Sequence, residues 1–320
     1  MTARPIVLVH VPRTAGTALA SIMRHHYRGG AFRGGGNAFA RPELIEARLR
    51  DIAASSRVKA VAGHLTFGLA DLLPSDARFI AILREPVERT LSHFHVLPRS
   101  RSDRVPAPGK QRTGLVPPWQ PSVTSALTIE EAVAPGGPIL DNLQTRMLCG
   151  TRSPFDALPA DAVERAKRNL TERFTYVGTT ERFDELVAML NLGLGWPSMA
   201  LKRSRAYAGR PARAEVSPSA LQLIEERNVL DRELHEHAAA LFGDAVEAAG
   251  AEFQAELAVV REATRRRLDD EAVRPEELRS LSQDARVALA LAETALARTE
   301  VRVRKLTKEL ARQTVPSSAL

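Results

Sequence analysis

Short apolar runs alternate with amphipathic stretches along the first two thirds of the chain. The runs at 6–11 (IVLVHV), 58–62 (VKAVA), 79–83 (FIAIL) and 175–178 (TYVG) are short and mostly β-branched or apolar, which is typical of buried strands. Stretches with helical spacing of their apolar positions, such as 42–55, lie between them. This alternation predicts an α/β fold in three layers, with a mainly parallel sheet and helices on both of its faces.

Strand patterns are absent from about residue 217 onward, where the apolar spacing becomes helical. We therefore predict one α/β domain over residues 1–248 and a helical C-terminal extension over 249–320. Residues 98–122 are rich in Pro, Arg, Gly and Ser and are predicted to form a flexible insertion, and the glycine-rich residues 29–36 are predicted to be mobile. The extension carries a ragged coiled-coil stripe and is interpreted as an arm that forms a homodimer or as a lid.

Composition and charge narrow the possible functions. The 320 residues include 44% hydrophobic and 26% charged residues, as in an ordinary globular protein. Cys149, as the one cysteine, excludes an internal disulfide and a cysteine-based zinc site. No apolar run reaches the roughly 18 residues of a membrane span, and no secretory signal is recognisable, so we expect a cytoplasmic protein without a transmembrane segment. The net charge of +7 favours an anionic partner, while 5% aromatic residues argue against nucleic acid.

The first strand runs into a loop whose residue types suit an anion. The loop, which leads into a predicted helix, is Pro12-Arg13-Thr14-Ala15-Gly16-Thr17. A loop that enters a helix offers unpaired backbone N–H groups, and the helix dipole favours an anion there. Arg13 adds a guanidinium, Thr14 and Thr17 add hydroxyl groups, and Gly16 permits close approach. The leading glycine and the Gly-Lys-Ser/Thr of a Walker A loop are missing. A plain turn with a surface arginine is the alternative interpretation.

A second anion-binding pair follows the strand at 79–83. Arg84 stands where this strand ends, and Ser92 lies two turns along the helix predicted after it. An arginine and a hydroxyl group together can hold the oxygens of a phosphate. The alternative is a surface ion pair between Arg84 and Glu85 or Glu88.

A histidine stands at the end of a third strand, in the dipeptide Gly63-His64. Ligands of open parallel sheets bind outside the carboxyl ends of the strands, so this position suits a functional group. A neutral histidine can accept a proton from a hydroxyl group. A structural histidine is the alternative, and five other histidines compete for the role of base: His10, His25, His26, His93 and His95.

Taken together, these segments resemble the sulfotransferases that use 3′-phosphoadenosine-5′-phosphosulfate (PAPS), and most of all the branch with heparan sulfate 2-O-sulfotransferase and related bacterial carbohydrate sulfotransferases. The loop from His10 to Thr17 is similar to the family's His-Ile-Pro-Lys-Thr-Gly-Gly-Thr. Four residues match the family's Arg-x-Pro-x-x-Arg-x-x-Ser at every spacing: Arg84, Pro86, Arg89 and Ser92. Gly63-His64 matches a Gly-His dipeptide of this branch in order and context. The resemblance covers roughly residues 5–245.

The resemblance implies a P-loop-like sheet and a role for each segment. The loop at 12–17 would hold the 5′-phosphosulfate, Arg84 and Ser92 would hold the 3′-phosphate, and His64 would act as the base. Arg13 replaces the lysine that contacts the bridging oxygen in the family; arginine stabilises negative charge but does not readily give up a proton. Ala15 replaces a glycine, a change that is compatible with a negative φ.

Further contacts are implied by the same resemblance. Arg203 and Ser204 lie in a basic stretch where the family closes a loop over the nucleotide, although a solvated loop is equally compatible with these residues. Asn142 and Arg146 lie in a segment similar to one that lines the acceptor side.

The sequence therefore predicts an enzyme that transfers a sulfuryl group from PAPS, as co-substrate, to an acceptor hydroxyl group on a saccharide or glycoconjugate, without a metal. Two alternatives stay open: a P-loop-type nucleotide kinase or NTPase, against which the missing Walker lysine argues, and a non-catalytic nucleotide-binding protein whose C-terminal helices bind a partner.

Overall fold

A computed structural model describes residues 5–37, 39, 42–70, 72–97, 127–199 and 212–273, together with single positions and short pieces between 292 and 306. The five strands are β1 (Ile6–Val9), β2 (Phe32–Asn37), β3 (Ala60–His64), β4 (Arg78–Leu83) and β5 (Phe174–Thr179). They form one sheet in the order β2-β3-β1-β4-β5, and all neighbouring pairs are parallel. The predicted α/β class is confirmed, and the sheet is consistent with a P-loop-like fold.

The helices occupy the connections between the strands and the chain after β5. They are α1 (Gly16–His26), α2 (Pro42–Ala53), α3 (Phe67–Ala70), α4 (Pro86–Val96), α5 (Ile129–Val133), α6 (Leu143–Leu148), α7 (Ala162–Glu172), α8 (Phe183–Leu194), α9 (Pro218–Arg227), α10 (Val229–Ala248) and α11 (Gly250–Val273). Short 3₁₀ turns lie at Thr180–Arg182 and Arg213–Glu215. None of the helices within the described residues is long and apolar enough to cross a membrane.

β1 is the centre of the sheet, and this position determines which loops meet. Its four residues are buried on both faces, as their apolar β-branched run predicts. Val9 is in register with Gly63 of β3 on one side and with Ala81 of β4 on the other. The carboxyl ends of β3, β1 and β4 therefore lie side by side, and the three polar segments identified in the sequence follow these strands.

The glycine-rich segment at 29–36, in which the sequence indicated no strand, contains most of β2. Gly36 of β2 pairs with Gly63 of β3 across an irregular register. A Cβ atom on Gly63 would lie within about 3 Å of the Gly36 and Gly35 backbone. The close approach of the two strands therefore requires glycine before His64.

The chain divides into two compact units. The first comprises residues 1–181 and 205–242, and the second comprises residues 182–204 and 243–320. The second unit thus takes in α8, which the sequence analysis assigned to the domain at 1–248, because α8 packs against α11 and Arg261 pairs there with Asp184 at 2.6 Å.

In the first unit, one apolar cluster includes residues of the sheet and of α2, α3, α6, α7 and α10. A second cluster includes residues of α4, α5 and α9. The predicted insertion at 98–122 and most of the extension beyond residue 273 lie outside the described residues.

Candidate functional site

The loop between β1 and α1 has an unusual backbone conformation. Arg13 and Ala15 both adopt positive φ values, +73° and +62°. Ala15 therefore does not have the negative φ that would leave its backbone unstrained. The first bond into the helix runs from the Ala18 N–H to the Ala15 carbonyl oxygen at 2.9 Å, so the N–H groups of Gly16 and Thr17 have no partner inside α1. Such N–H groups at a helix start suit an anion.

Two side chains hold this loop in place. The Thr14 hydroxyl group donates to the Val11 carbonyl oxygen at 2.9 Å and is buried, so it closes the loop on itself. Gly16 packs against the His10 ring, which a Cβ atom at this position would overlap. Thr17 is exposed at the start of α1, and Pro12 is partly buried. Of the two predicted hydroxyl donors, Thr17 is therefore the one at the surface.

The structure brings the two predicted anion-binding segments together. Arg13 Nε donates to Ser92 Oγ at 3.1 Å, and Arg84 Nη1 donates to the Arg13 carbonyl oxygen at 3.3 Å. Arg84 Nη2 also lies 3.5 Å from Glu88 Oε2, the surface ion pair that the sequence allowed. α4 begins two residues after Arg84, because Pro86 is its first residue and the side chain of the N-cap residue Glu85 accepts the Glu88 N–H. Both segments thus form one cradle with two guanidinium groups.

His64 stands beside this cradle with a defined tautomer. Its Nδ1 lies 2.7 Å from the His10 carbonyl oxygen. A carbonyl oxygen only accepts, so Nδ1 carries the proton and Nε2 keeps its lone pair. Burial lowers the pKa of His64 below 6.5, and the hydrogen bond to His10 opposes this shift in part. His64 is therefore neutral near pH 7, which is the form a general base needs.

The neighbouring histidines are also held neutral. Burial, followed by the charges of His64 and Arg13, lowers the pKa of His10 to about 3. Burial and the nearby Arg89, Arg13 and His64 lower the pKa of His93 to about 3 as well. Among the described residues, the buried Nδ1 of His93 has no hydrogen-bond partner. His93 therefore adds no positive charge to the cradle at neutral pH.

Arg89, the central arginine of the second motif, lies in the interior and outside the cradle. Its side chain is fully buried, and its Nε lies 4.0 Å from Oδ2 of Asp231, which is also fully buried. Asp231 lies outside both anion-binding motifs. Its pairing with Arg89 joins residues 142 positions apart in the sequence (231 minus 89), and the local motif contains no signal for such a contact.

The two predicted acceptor-side residues make structural contacts. Asn142 Oδ1 accepts the N–H groups of Leu230 and Asp231 at 3.0 and 3.2 Å. The Arg146 guanidinium binds Asp141, with Nη2 3.1 Å from Oδ1, and also donates to main-chain carbonyl oxygens. That Asn142 or Arg146 contacts the acceptor substrate remains a prediction. Arg203 and Ser204 lie outside the described residues.

Comparison with models of protein families and with curated proteins finds no match for this chain. Its function is therefore inferred from its own residues and their geometry.

Proposed function

We propose that this protein is a PAPS-dependent sulfotransferase that acts on the hydroxyl group of a carbohydrate or glycoconjugate. The observation that carries the proposal is the hydrogen bond from Arg13 Nε to Ser92 Oγ, 3.1 Å long. It joins two anion-binding segments at the ends of neighbouring strands. A donor with a phosphate group on each side of its ribose, as in PAPS, needs two such segments in one cradle.

The first step is activation of the acceptor. His64 accepts the proton of the acceptor hydroxyl group at Nε2 while the oxygen forms a bond to sulfur. The bond from sulfur to the bridging oxygen breaks, and adenosine 3′,5′-bisphosphate leaves with the electron pair. The His10 carbonyl oxygen stabilises the protonated ring through Nδ1, 2.7 Å away.

The leaving group is stabilised as an anion. Negative charge grows on the bridging oxygen, and the N–H groups of the 13–17 loop and the Arg13 guanidinium stabilise it there. Arginine suits this task because a phosphate leaves without needing a proton. Arg84 and Ser92 hold the 3′-phosphate, so that binding energy far from sulfur fixes the position of the reacting group.

Nucleotide preference tests this proposal against a kinase or NTPase. Adenosine 3′,5′-bisphosphate should raise the melting temperature of the protein, and ATP with Mg²⁺ should not. The opposite preference would favour a kinase or NTPase. The order of the strands in the sheet, which is P-loop-like, is the observation that supports this alternative.

Turnover separates an enzyme from a non-catalytic binding protein. With labelled PAPS and a panel of saccharides, the protein should label an acceptor, and His64→Ala should lower kcat by about 10² or more while binding adenosine 3′,5′-bisphosphate as before. His237→Ala is the control, since His237 binds Thr171 at the surface. Unchanged kcat in His64→Ala would refute the assignment of the base.

A further inference from the structure

Arg84 lies one residue beyond the carboxyl end of β4. At this point the side chain of Gln144 forms the main-chain hydrogen bonds that a neighbouring strand would otherwise form. β4 ends at Leu83, in register with Thr179 of β5. Gln144 Oε1 accepts the Arg84 N–H at 2.9 Å, and Gln144 Nε2 donates to the Arg84 carbonyl oxygen at 2.9 Å. Both peptide groups of Arg84 are thus fixed by one carboxamide, as a neighbouring strand would fix them.

Gln144 is itself held in place by buried side chains at the starts of α6 and α10, each of which caps the other helix. Its N–H donates to Asp231 Oδ2 at 3.0 Å, and the Thr145 N–H donates to Asp231 Oδ1 at 2.7 Å. In return, Asn142 Oδ1 accepts the N–H groups of Leu230 and Asp231. Each of α6 and α10 therefore has its first N–H groups satisfied by a side chain of the other helix. Gln144 and Asp231 are both fully buried.

The same carboxylate also faces α4. Arg89 lies on α4 between Arg84 and Ser92, and its buried guanidinium is 4.0 Å from Asp231. Burial raises the pKa of Asp231, while Arg89 and the two N–H donors oppose this rise. One interior network thus joins the helix that carries Ser92 to the helix that carries Gln144.

We propose that Gln144 is a positioning residue for anion recognition. Its carboxamide sets the main-chain geometry of Arg84 and thereby the direction in which the Arg84 guanidinium meets the 3′-phosphate of the donor. This inference rests on the proposed function. Because the guanidinium lies at the end of a long side chain, a small rotation of the Arg84 main chain displaces it by much more than the main chain itself moves.

The experiment compares two nucleotides that differ in the 3′-phosphate. Isothermal titration calorimetry on the full chain measures the affinities for adenosine 3′,5′-bisphosphate and for adenosine 5′-monophosphate. Gln144→Met keeps the length of the side chain but forms neither hydrogen bond with Arg84. We expect it to lower the affinity for the bisphosphate about tenfold and to leave that for the monophosphate within about twofold. A general loss of stability would not change the ratio of the two affinities.

Leu143→Ala is the matched control, because Leu143 is a buried residue of the same helix that does not contact Arg84 through hydrogen bonds. It should lower the melting temperature and leave the ratio unchanged. Gln144→Leu, which has a similar volume and also forms neither hydrogen bond with Arg84, should give the same fall in the ratio and serves if Gln144→Met does not fold. Equal losses for both nucleotides, or an unchanged ratio, would overturn the positioning role. A wild-type protein that does not prefer the bisphosphate would overturn the proposed donor, and this role with it.

Discussion

The proposed base, His64, is oriented by a main-chain carbonyl group. The hydrogen bond from Nδ1 to the His10 oxygen leaves Nε2 as the basic atom, and burial lowers the pKa of the ring below 6.5. The neutral form is the active form of a base, so kcat/KM should stay level around neutral pH and fall only as pH drops below 6.5. A pH series of initial rates with labelled PAPS checks this. An acid limb centred above pH 6.5 would contradict the burial that lowers this pKa.

The left-handed backbone at Ala15 is expected to cost stability. An L-residue at φ +62° is strained, and glycine relieves this strain while adding freedom to the unfolded chain. We expect Ala15→Gly to raise the free energy of unfolding by about 0.5 kcal/mol, measured from urea midpoints. The control Ala18→Gly, inside α1, should lower it by about 1 kcal/mol. A destabilised Ala15→Gly protein would be inconsistent with this loop conformation.

At the scale of single residues, motif spacing identified the groups that the structure brings together: Arg13, Ser92 and Arg84. Spacing works here because each side chain follows a strand end, and strand ends of a parallel sheet meet at one edge. It did not predict the positive φ of Ala15, because that conformation is imposed by the path of the loop and has no local signal in alanine.

At the scale of elements, the start of α1 depends on contact with the end of β1. A Cβ atom on Gly16 would overlap the His10 ring, and the His10 carbonyl oxygen orients His64. We therefore expect Gly16→Ala to lower kcat at least tenfold and to lower the melting temperature. Gly243→Ala is the control, because its new methyl group would meet only Arg182 Nη1 at an ordinary 3.8 Å. A fully active Gly16→Ala protein would show that His10 can move without consequence for the base.

Two elements differ from their predictions for reasons of tertiary structure. β2 contains three consecutive glycines and has weak strand propensity, yet it forms because β3 supplies its hydrogen-bond partners. The apolar spacing of residues 219–242 predicts one helix, but Asn228 separates α9 from α10. The Asn228 side chain accepts the Asn142 N–H and donates to the Ile224 carbonyl oxygen. Both outcomes depend on partners that are distant in the sequence.

At the scale of the whole molecule, buried neutral histidines should make the protein sensitive to acid. An unfolded histidine binds a proton below about pH 6.5, whereas folded His93, with a pKa of about 3, does not. As pH falls, the unfolded state therefore binds a proton at a higher pH than the folded state does. The free energy of unfolding decreases as pH falls below 6.5. Between pH 7.5 and 5, His93 should account for about 2 kcal/mol of this loss. His93→Gln should show a loss smaller by that amount in urea unfolding, and an identical pH dependence would refute the assigned burial.

The C-terminal stripe indicates either a homodimer arm or a lid, and the homodimer has a direct test. Leu296, Val303 and Leu306 lie at coiled-coil spacing in described helical positions and are 52–55% exposed. We predict that light scattering gives twice the chain mass for the wild type and one chain mass for the double variant Leu296→Glu, Leu306→Glu. A monomeric wild type, or a dimeric variant, would contradict this prediction.

Four of the five strands, β1, β3, β4 and β5, and the order of the motifs could be predicted from the sequence, because each of these strands carries an apolar run. The contacts that hold the site together could not, since Gln144 meets Arg84 across 60 positions and Asp231 across 87. A buried Gln or Asp has no periodicity that reveals its partner, and only the packing of α6 and α10 creates these contacts.

The most direct test of the proposed donor is a crystal structure with adenosine 3′,5′-bisphosphate. We expect the 5′-phosphate to bind the N–H groups of the 13–17 loop and the 3′-phosphate to lie within hydrogen-bond distance of Arg84 and Ser92. Phosphates bound elsewhere, or a nucleotide that reaches only one of the two segments, would contradict the proposed donor.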